Sequence, residues 1–254
     1  MKFVSGYCSD KGNVRENNED AIVIRSVQDN GKNFLVAAVC DGIGGLDSGE
    51  LASEFLTRKI NAWFNAVAEY VLNGSVSRST LRHSLTEAVV KWNEQLVQYM
   101  LEENLQMGTT MSLIMIVNDM VYGANVGDSR VYCYNHERLR QFSEDTSVSK
   151  FADGKVRSYL ESYMGKDGEL WVQGWEKELE PGDLYVLCSD GFYKFMTEED
   201  AAEMYKLIDK NTDPTLCCRN AVKMALERGS RDNVTLGLVY AGNPKKQFFP
   251  FKLM

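Results

Sequence analysis

Phe34-Leu-Val-Ala-Ala-Val-Cys-Asp41-Gly42-Ile43-Gly44-Gly45 is an unbroken apolar run that ends on a carboxylate and three glycines. Residues of this kind, apolar at every position, predict a strand covered on both faces rather than one facing water. The glycines let the following backbone approach a ligand with no Cβ in the way. The stretch therefore reads as a buried strand that delivers Asp41 to a site.

Three further segments place acidic residues at the edge of an apolar run. They are Arg15-Glu-Asn-Asn-Glu19-Asp20 before Ala-Ile-Val-Ile, Leu184-Tyr-Val-Leu-Cys-Ser-Asp190-Gly191, and Arg231-Asp232-Asn233 before Val-Thr-Leu-Gly-Leu-Val. Strand ends distant in sequence can converge in a sheet, and converging carboxylates repel unless a cation lies between them. Oxygen donors without Cys or His at ligand spacing select hard ions such as Mg²⁺ or Mn²⁺.

Working outward, the 254 residues contain 44% hydrophobic residues and only 4 prolines, with no linker, repeat or low-complexity tract. This predicts one domain over residues 1–241 and a short basic-aromatic tail over 242–254. A formal charge of -8 argues against nucleic-acid and anionic-membrane partners, which require clustered Lys and Arg. No segment has the apolar length of a signal sequence or a membrane span, so a cytoplasmic location is expected. The 6 cysteines lack C-x-x-C spacing and read as reduced, packed thiols.

Strands are predicted at 3–8 and 20–27, as a first hairpin, and then up to Asp41. Helices follow: Leu51, Phe55, Leu56, Ile60, Trp63, Phe64, Val67 and Val71 fall at helical steps, as do Leu81, Leu85, Ala88, Val89, Trp92, Leu96 and Met100. Strands at 110–117, 120–126, 129–135 and 138–142 read as a meander with tight turns at Asn118-Asp119 and Asn135-His136. Residues 143–169 lose periodicity and read as a surface flap. Strands at 170–179 and 184–189, helices at about 198–209 and 214–228, and a strand at 234–240 complete the chain. Thr197 and Asp200 have the spacing of a helix cap.

Other chemistries fit less well. Gly42-x-Gly44-Gly45 lacks dinucleotide-loop spacing, and the preceding Asp41 would repel a pyrophosphate. Ser129 and Ser189 adjoin aspartates, but the chain has only 2 histidines, His83 on a helix and His136 in a turn. Asp153-Gly154 and Asp167-Gly168 read as plain turns.

Taken in order, Arg15-x-x-Asn18-Glu19-Asp20, Val39-Cys40-Asp41-Gly42-x-Gly44-Gly45, Gly108-Thr109-Thr110, Asn125-Val126-Gly127-Asp128-Ser129-Arg130, Cys188-Ser189-Asp190-Gly191 and Asp232-Asn233 resemble the metal-dependent protein serine/threonine phosphatases of the protein phosphatase 2C type, in particular the bacterial ones. The resemblance spans nearly the whole chain. It implies an α+β fold in which two mainly antiparallel sheets form a sandwich flanked by helix pairs. It also implies that Asp41 bridges two Mn²⁺ or Mg²⁺ ions and that the Gly42 carbonyl adds a ligand. Glu19 and Asp20 would hold the second ion, Asp190 and Asp232 the first, and Asp128 with Asp190 a third, weaker one. Arg15 would grip the substrate phosphate through its planar fork.

Two ions roughly 3.5–4 Å apart can share a water, lower its pKa and aim it in line at phosphorus, so no protein nucleophile is needed. Phosphorylated proteins are the implied substrates, a serine/threonine kinase the opposing partner, and a monomer the expected state. Three departures stand out. Ile43 occupies the place of a His in animal members, Thr146 that of a His in many bacterial ones, and the flap is short. An inactive phosphatase fold that binds phosphoproteins is the alternative from another class; it would require a lost ligand, and none of the matched positions is lost.

Overall fold

The computed structural model describes residues 2–29, 31–43, 48–152 and 155–242. In chain order the elements are β1 (Phe3–Asp10), β2 (Asp20–Asp29), β3 (Lys32–Asp41), α1 (Gly49–Asn73), α2 (Arg78–Glu103), β4 (Met111–Val117), β5 (Met120–Val126), β6 (Arg130–Asn135), β7 (Arg138–Gln141), β8 (Ser147–Ala152), β9 (Lys155–Leu160), β10 (Gln173–Glu178), β11 (Asp183–Cys188), α3 (Asp190–Tyr193), α4 (Glu198–Asp209), α5 (Pro214–Glu227) and β12 (Val234–Ala241). Two five-stranded sheets, ordered β1-β12-β11-β6-β7 and β10-β5-β4-β3-β2, are antiparallel throughout.

The deciding strand, β3, sits between β2 and β4, and its side chains alternate between two cores. Phe34, Val36, Ala38 and Cys40 pack toward α1 and α2, with Leu56, Ile60, Leu85, Val89 and Leu96. Leu35, Ala37 and Val39 face the other sheet and meet Tyr185, Leu187 and Val239. A strand buried on both faces has no room for polar residues, hence the unbroken run. The second sheet is covered by α4 and α5 through Ala201, Met204, Ile208, Cys218 and Val222. The layers are thus helix pair, sheet, sheet, helix pair, as the α+β expectation has it.

Local signals hold where turn chemistry is explicit. Gly74 ends α1 with a left-handed φ of 77°. Thr197 and Asp200 form a reciprocal capping box on α4, and Asp213 with Pro214 opens α5. The tight turn expected at Asn135-His136 lies one residue further on, where His136 and Glu137 both have positive φ, as a two-residue hairpin turn requires.

Four expectations are corrected. The strands at 3–8 and 20–27 do not form a hairpin: β1 pairs with β12 and β2 with β3, in different sheets. The intervening residues 11–19 cross from one sheet to the other, too long a connection for a tight turn. The meander is likewise split, since β4–β5 and β6–β7 are hairpins of opposite sheets and the chain crosses at Gly127-Asp128-Ser129. The flap contains a two-stranded hairpin, β8–β9; neither stretch alternates apolar and polar residues strictly, so no period announced it. The Asp190-Gly191 corner is one helical turn, α3. Asp47, Gly44 and Gly45, the Asp153-Gly154 turn and the tail beyond Gly242 lie outside the described residues.

Candidate metal centre

Both sheets end at the same place. Asp20 opens β2 and Asp41 closes β3, directly opposite each other in register, which sets their side chains on one face of the sheet. Asp190 follows β11 and Asp232 precedes β12, in the other sheet. Asp128 sits on the crossover between them.

Asp20 is buried. Its Oδ2 accepts a hydrogen bond from Ser189 Oγ at 2.8 Å, and its Oδ1 is buried with no partner. Burial, then the fields of Asp190 and Asp232, push its pKa up to about 6, against the pull of its hydroxyl partners. Burial also holds the Asp41 carboxyl well above the usual carboxylate range, and Asp20, Asp190, Asp128 and Asp232 all push the same way. Four carboxylates therefore bear on Asp41. Its backbone is fixed by the sheet edge: its N–H donates to Thr110 Oγ1 at 2.9 Å, and its carbonyl accepts from Thr110 N–H at 2.8 Å and Thr109 Oγ1 at 2.9 Å.

Gly42 has no room for a side chain, since a Cβ there would lie 2.6 Å from the Glu19 carbonyl oxygen and from Gly49. Its N–H donates to that carbonyl at 3.1 Å, which brings the Arg15–Asp20 loop against the end of β3. Asn233 holds the same loop from the other sheet. Its Nδ2 donates to the carbonyls of Lys11 and Asn17, and its Oδ1 accepts from Glu19 N–H, all at 2.9 Å. Gly191 is equally constrained, with a Cβ position 2.0 Å from the Asn233 carbonyl oxygen.

Two cations face the carboxylates. Arg15 Nη2 donates to Asp232 Oδ2 at 2.8 Å, with Nη1 3.8 Å from Glu19 Oε2. Lys194 Nζ donates to Asp190 Oδ2 at 2.6 Å. Arg15, the expected phosphate grip, is thus engaged by two of the expected metal ligands, and about 40% of its side chain remains exposed.

A turn between strands would set Asp128 nearer solvent than the ligands that flank buried strands, but it is half-buried, in the same range as Asp41, Asp190 and Asp232. The crossover is pinned from both sides rather than left as a free turn. Thr146 Oγ1 accepts from Gly127 N–H at 2.8 Å, and Thr146 N–H donates to the Gly127 carbonyl at 2.9 Å. Ser129 Oγ pairs with Thr110 Oγ1 at 2.7 Å. Burial first, then Asp190 and Asp145, push the Asp128 pKa up to about 6, and Lys194 opposes them. The departure at Thr146 is therefore a buried clamp on the Asp128 loop. Arg130 adds a second clamp, forked onto Asp145 and stacked 3.8 Å over the Tyr193 ring of α3.

All eight expected site residues, Arg15, Glu19, Asp20, Asp41, Gly42, Asp128, Asp190 and Asp232, belong to this one region. Sequence reasoning missed the supporting hydroxyl of Ser189 and the cation Lys194, though the four-residue step from Asp190 to Lys194 within a helical turn is a readable signal. Ser129 and Ser189 are fully buried and engaged in hydrogen bonds, and both histidines sit elsewhere with Glu87 and Glu180. This removes the serine-nucleophile reading. Ile43 presents only hydrocarbon here, its Cδ1 packed near Gly108.

The donor chemistry fits hard divalent cations: oxygen atoms only, mutually repelling, one buried and without a partner. Among the described residues no three His, Cys, Asp or Glu side chains close tightly around a single point. Asp190 and Asp232 are turned instead to Lys194 and Arg15.

The comparisons agree with this geometry. The family model described as protein phosphatase 2C matches residues 12–224. The serine/threonine phosphatase stp of Listeria welshimeri serovar 6b is 29% identical, covering 92% of this chain and 94% of its own. A crystal structure of a bacterial serine phosphatase superposes with a TM-score of 0.77 at 26% identity, over 96% of this chain and 99% of that one. The serine/threonine phosphatase Stp1 of Staphylococcus aureus gives the same TM-score at 25% identity, over 96% of each chain. With the family's motifs gathered at the meeting edge of its two sheets, the chain belongs to the protein phosphatase 2C family, in its bacterial-type branch.

Proposed function

We propose that this protein hydrolyses phosphoserine and phosphothreonine esters on proteins with the help of bound Mn²⁺ or Mg²⁺, opposing a serine/threonine kinase. The observation that carries the reading is the convergence of Asp20 and Asp41 from one sheet with Asp190 and Asp232 from the other, around a carboxylate oxygen left without a partner.

In this reading two ions would be held by Asp41 and the Gly42 carbonyl together with Glu19 and Asp20 on one side and Asp190 and Asp232 on the other. Asp128 and Asp190 mark the place of the third, weaker ion that the family resemblance implies. Bound ions supply an acidified water and positive charge for the phosphoryl oxygens. The chain's own part is positional. Ser189 holds the Asp20 carboxylate through Oδ2, Thr110 fixes the Asp41 backbone, and Asn233 fixes the loop that carries Arg15. Arg15, half exposed beside Asp232, is placed to take a phosphate oxygen once the ions neutralise its present partners. Ile43 supplies no proton, so the leaving oxygen must draw its proton from elsewhere in the site.

No helix among the described residues is long and apolar enough to cross a membrane; the free cysteines support the cytoplasmic location we propose, and a monomer is part of the same proposal. Release of phosphate from a phosphothreonine peptide, measured with added Mn²⁺ and after chelation, tests the reading. We expect activity only with metal, and Asp41→Asn nearly inactive. Full activity after exhaustive metal removal overturns the mechanism.

A further inference from the structure

Lys194 is not among the residues to which the phosphatase reading gives a role, yet it reaches into the acidic cluster. It caps α3 four residues after Asp190, with its N–H donating to the Asp190 carbonyl at 3.3 Å and its Nζ to Asp190 Oδ2 at 2.6 Å. The fields that act on its ammonium are those of Asp190, then Asp128, then Asp232. Asp128 in turn feels Lys194 as its opposing positive charge. One cation thus answers the pair of carboxylates that was expected to hold a third ion.

We infer that the ammonium of Lys194 stands in for that third ion, so that this chain holds two divalent cations and a fixed lysine where the family resemblance implies three ions. The inference rests on the two-ion reading of the Asp41 cluster. The ammonium bonds Asp190 directly and acts on Asp128 through its charge, so a divalent ion entering between the two carboxylates must first displace it. Two carboxylates from the protein are a meagre ligand set for such an ion, so its affinity is low and a resident positive charge is enough to exclude it. With about 57% of the lysine side chain exposed, the exclusion is competitive and can be relieved by removing the charge.

Mn²⁺ stoichiometry, read by calorimetry and by the electron paramagnetic resonance of free Mn²⁺, tests this without relying on turnover. We expect two ions per wild-type chain up to millimolar Mn²⁺, and three in Lys194→Met and in Lys194→Gln, the added one weak. In Lys194→Met the further change Asp128→Ala should remove the third ion and leave two. Three ions in the wild type, unchanged in both Lys194 variants, overturn the inference and leave the two-ion reading standing. Two ions in the wild type and in both variants overturn it as well, since no latent site exists. No bound ion in any protein overturns both, and circular dichroism of each variant separates that outcome from misfolding.

Discussion

The unpartnered Oδ1 of Asp20 supports the proposed metal site: a buried acceptor without a donor is costly, and it persists where a ligand satisfies it. Without that ligand, the cost appears as proton affinity. Asp20 sits at about 6 against an ordinary 3.8, with burial the main cause, so the folded chain binds this proton more tightly than the unfolded one. Its contribution is then fully present below the unfolded pKa and lost as pH rises through about 6. Metal-free protein should gain thermal stability as pH falls from about 7.5 to 5, relative to Asp20→Asn measured in parallel, which cancels groups common to both. A constant difference across that range would reject the assignment. Arg15 makes a second residue-scale test. Arg15→Ala should lower kcat/KM on a phosphopeptide by one to two orders of magnitude, in line with roughly 1.5–3 kcal/mol for a charged contact. Its Mn²⁺ affinity should hold or rise, because Asp232 loses a competing cation; loss of metal binding would make Arg15 structural.

Among the elements, the crossover from β5 to β6 carries the most consequence for its length. Thr146 makes both hydrogen bonds to Gly127 and is itself buried. Thr146→Val keeps the volume nearly constant but leaves the Gly127 N–H without its acceptor, a loss of about 1–3 kcal/mol. Denaturant unfolding should show that loss, together with reduced turnover and two bound ions retained; unchanged stability would mean the hydroxyl is dispensable. This contact marks the limit of what the sequence discloses. The buried run into Asp41 and the cap spacing of Thr197 and Asp200 are local chemistry, and they located their elements closely. Asp20, Asp41, Asp190 and Asp232 could be picked out because each ends or begins an apolar run, whereas Asp128 entered only through the family resemblance. Which strand pairs with which could not: β1 looked like a partner for β2, but β12, buried along its whole length, takes β1 on one edge and β11 on the other. The clamps of Thr146 and Arg130 and the reach of Lys194 depend on that pairing, so they became visible only in three dimensions.

At the scale of the whole molecule, the proposed ions lie at a seam. Asp20 and Asp41 belong to the sheet covered by α1 and α2, Asp190 and Asp232 to the one covered by α4 and α5. An ion held by these residues would fasten sheet to sheet, whereas the carboxylates by themselves repel across the two edges. Binding to the folded chain alone stabilises it by about 2.7 kcal/mol at a hundredfold excess over Kd. Asp41 contributes most to both effects, since four carboxylates bear on it and it is the proposed bridge. Asp41→Asn should therefore reverse the usual direction of a site mutation. Without metal the variant should melt above the wild type, because a charge has left a repelling cluster. With Mn²⁺ it should gain far less than the wild type does, so that the order of the two melting temperatures inverts. Hydrogen exchange provides the spatial check, with Mn²⁺ slowing the amides at the ends of β2, β3 and β11 and the start of β12 in the wild type but not in the variant. A variant that melts below the wild type in both conditions would show Asp41 to be a structural residue of the strand end rather than a charge held in readiness for metal.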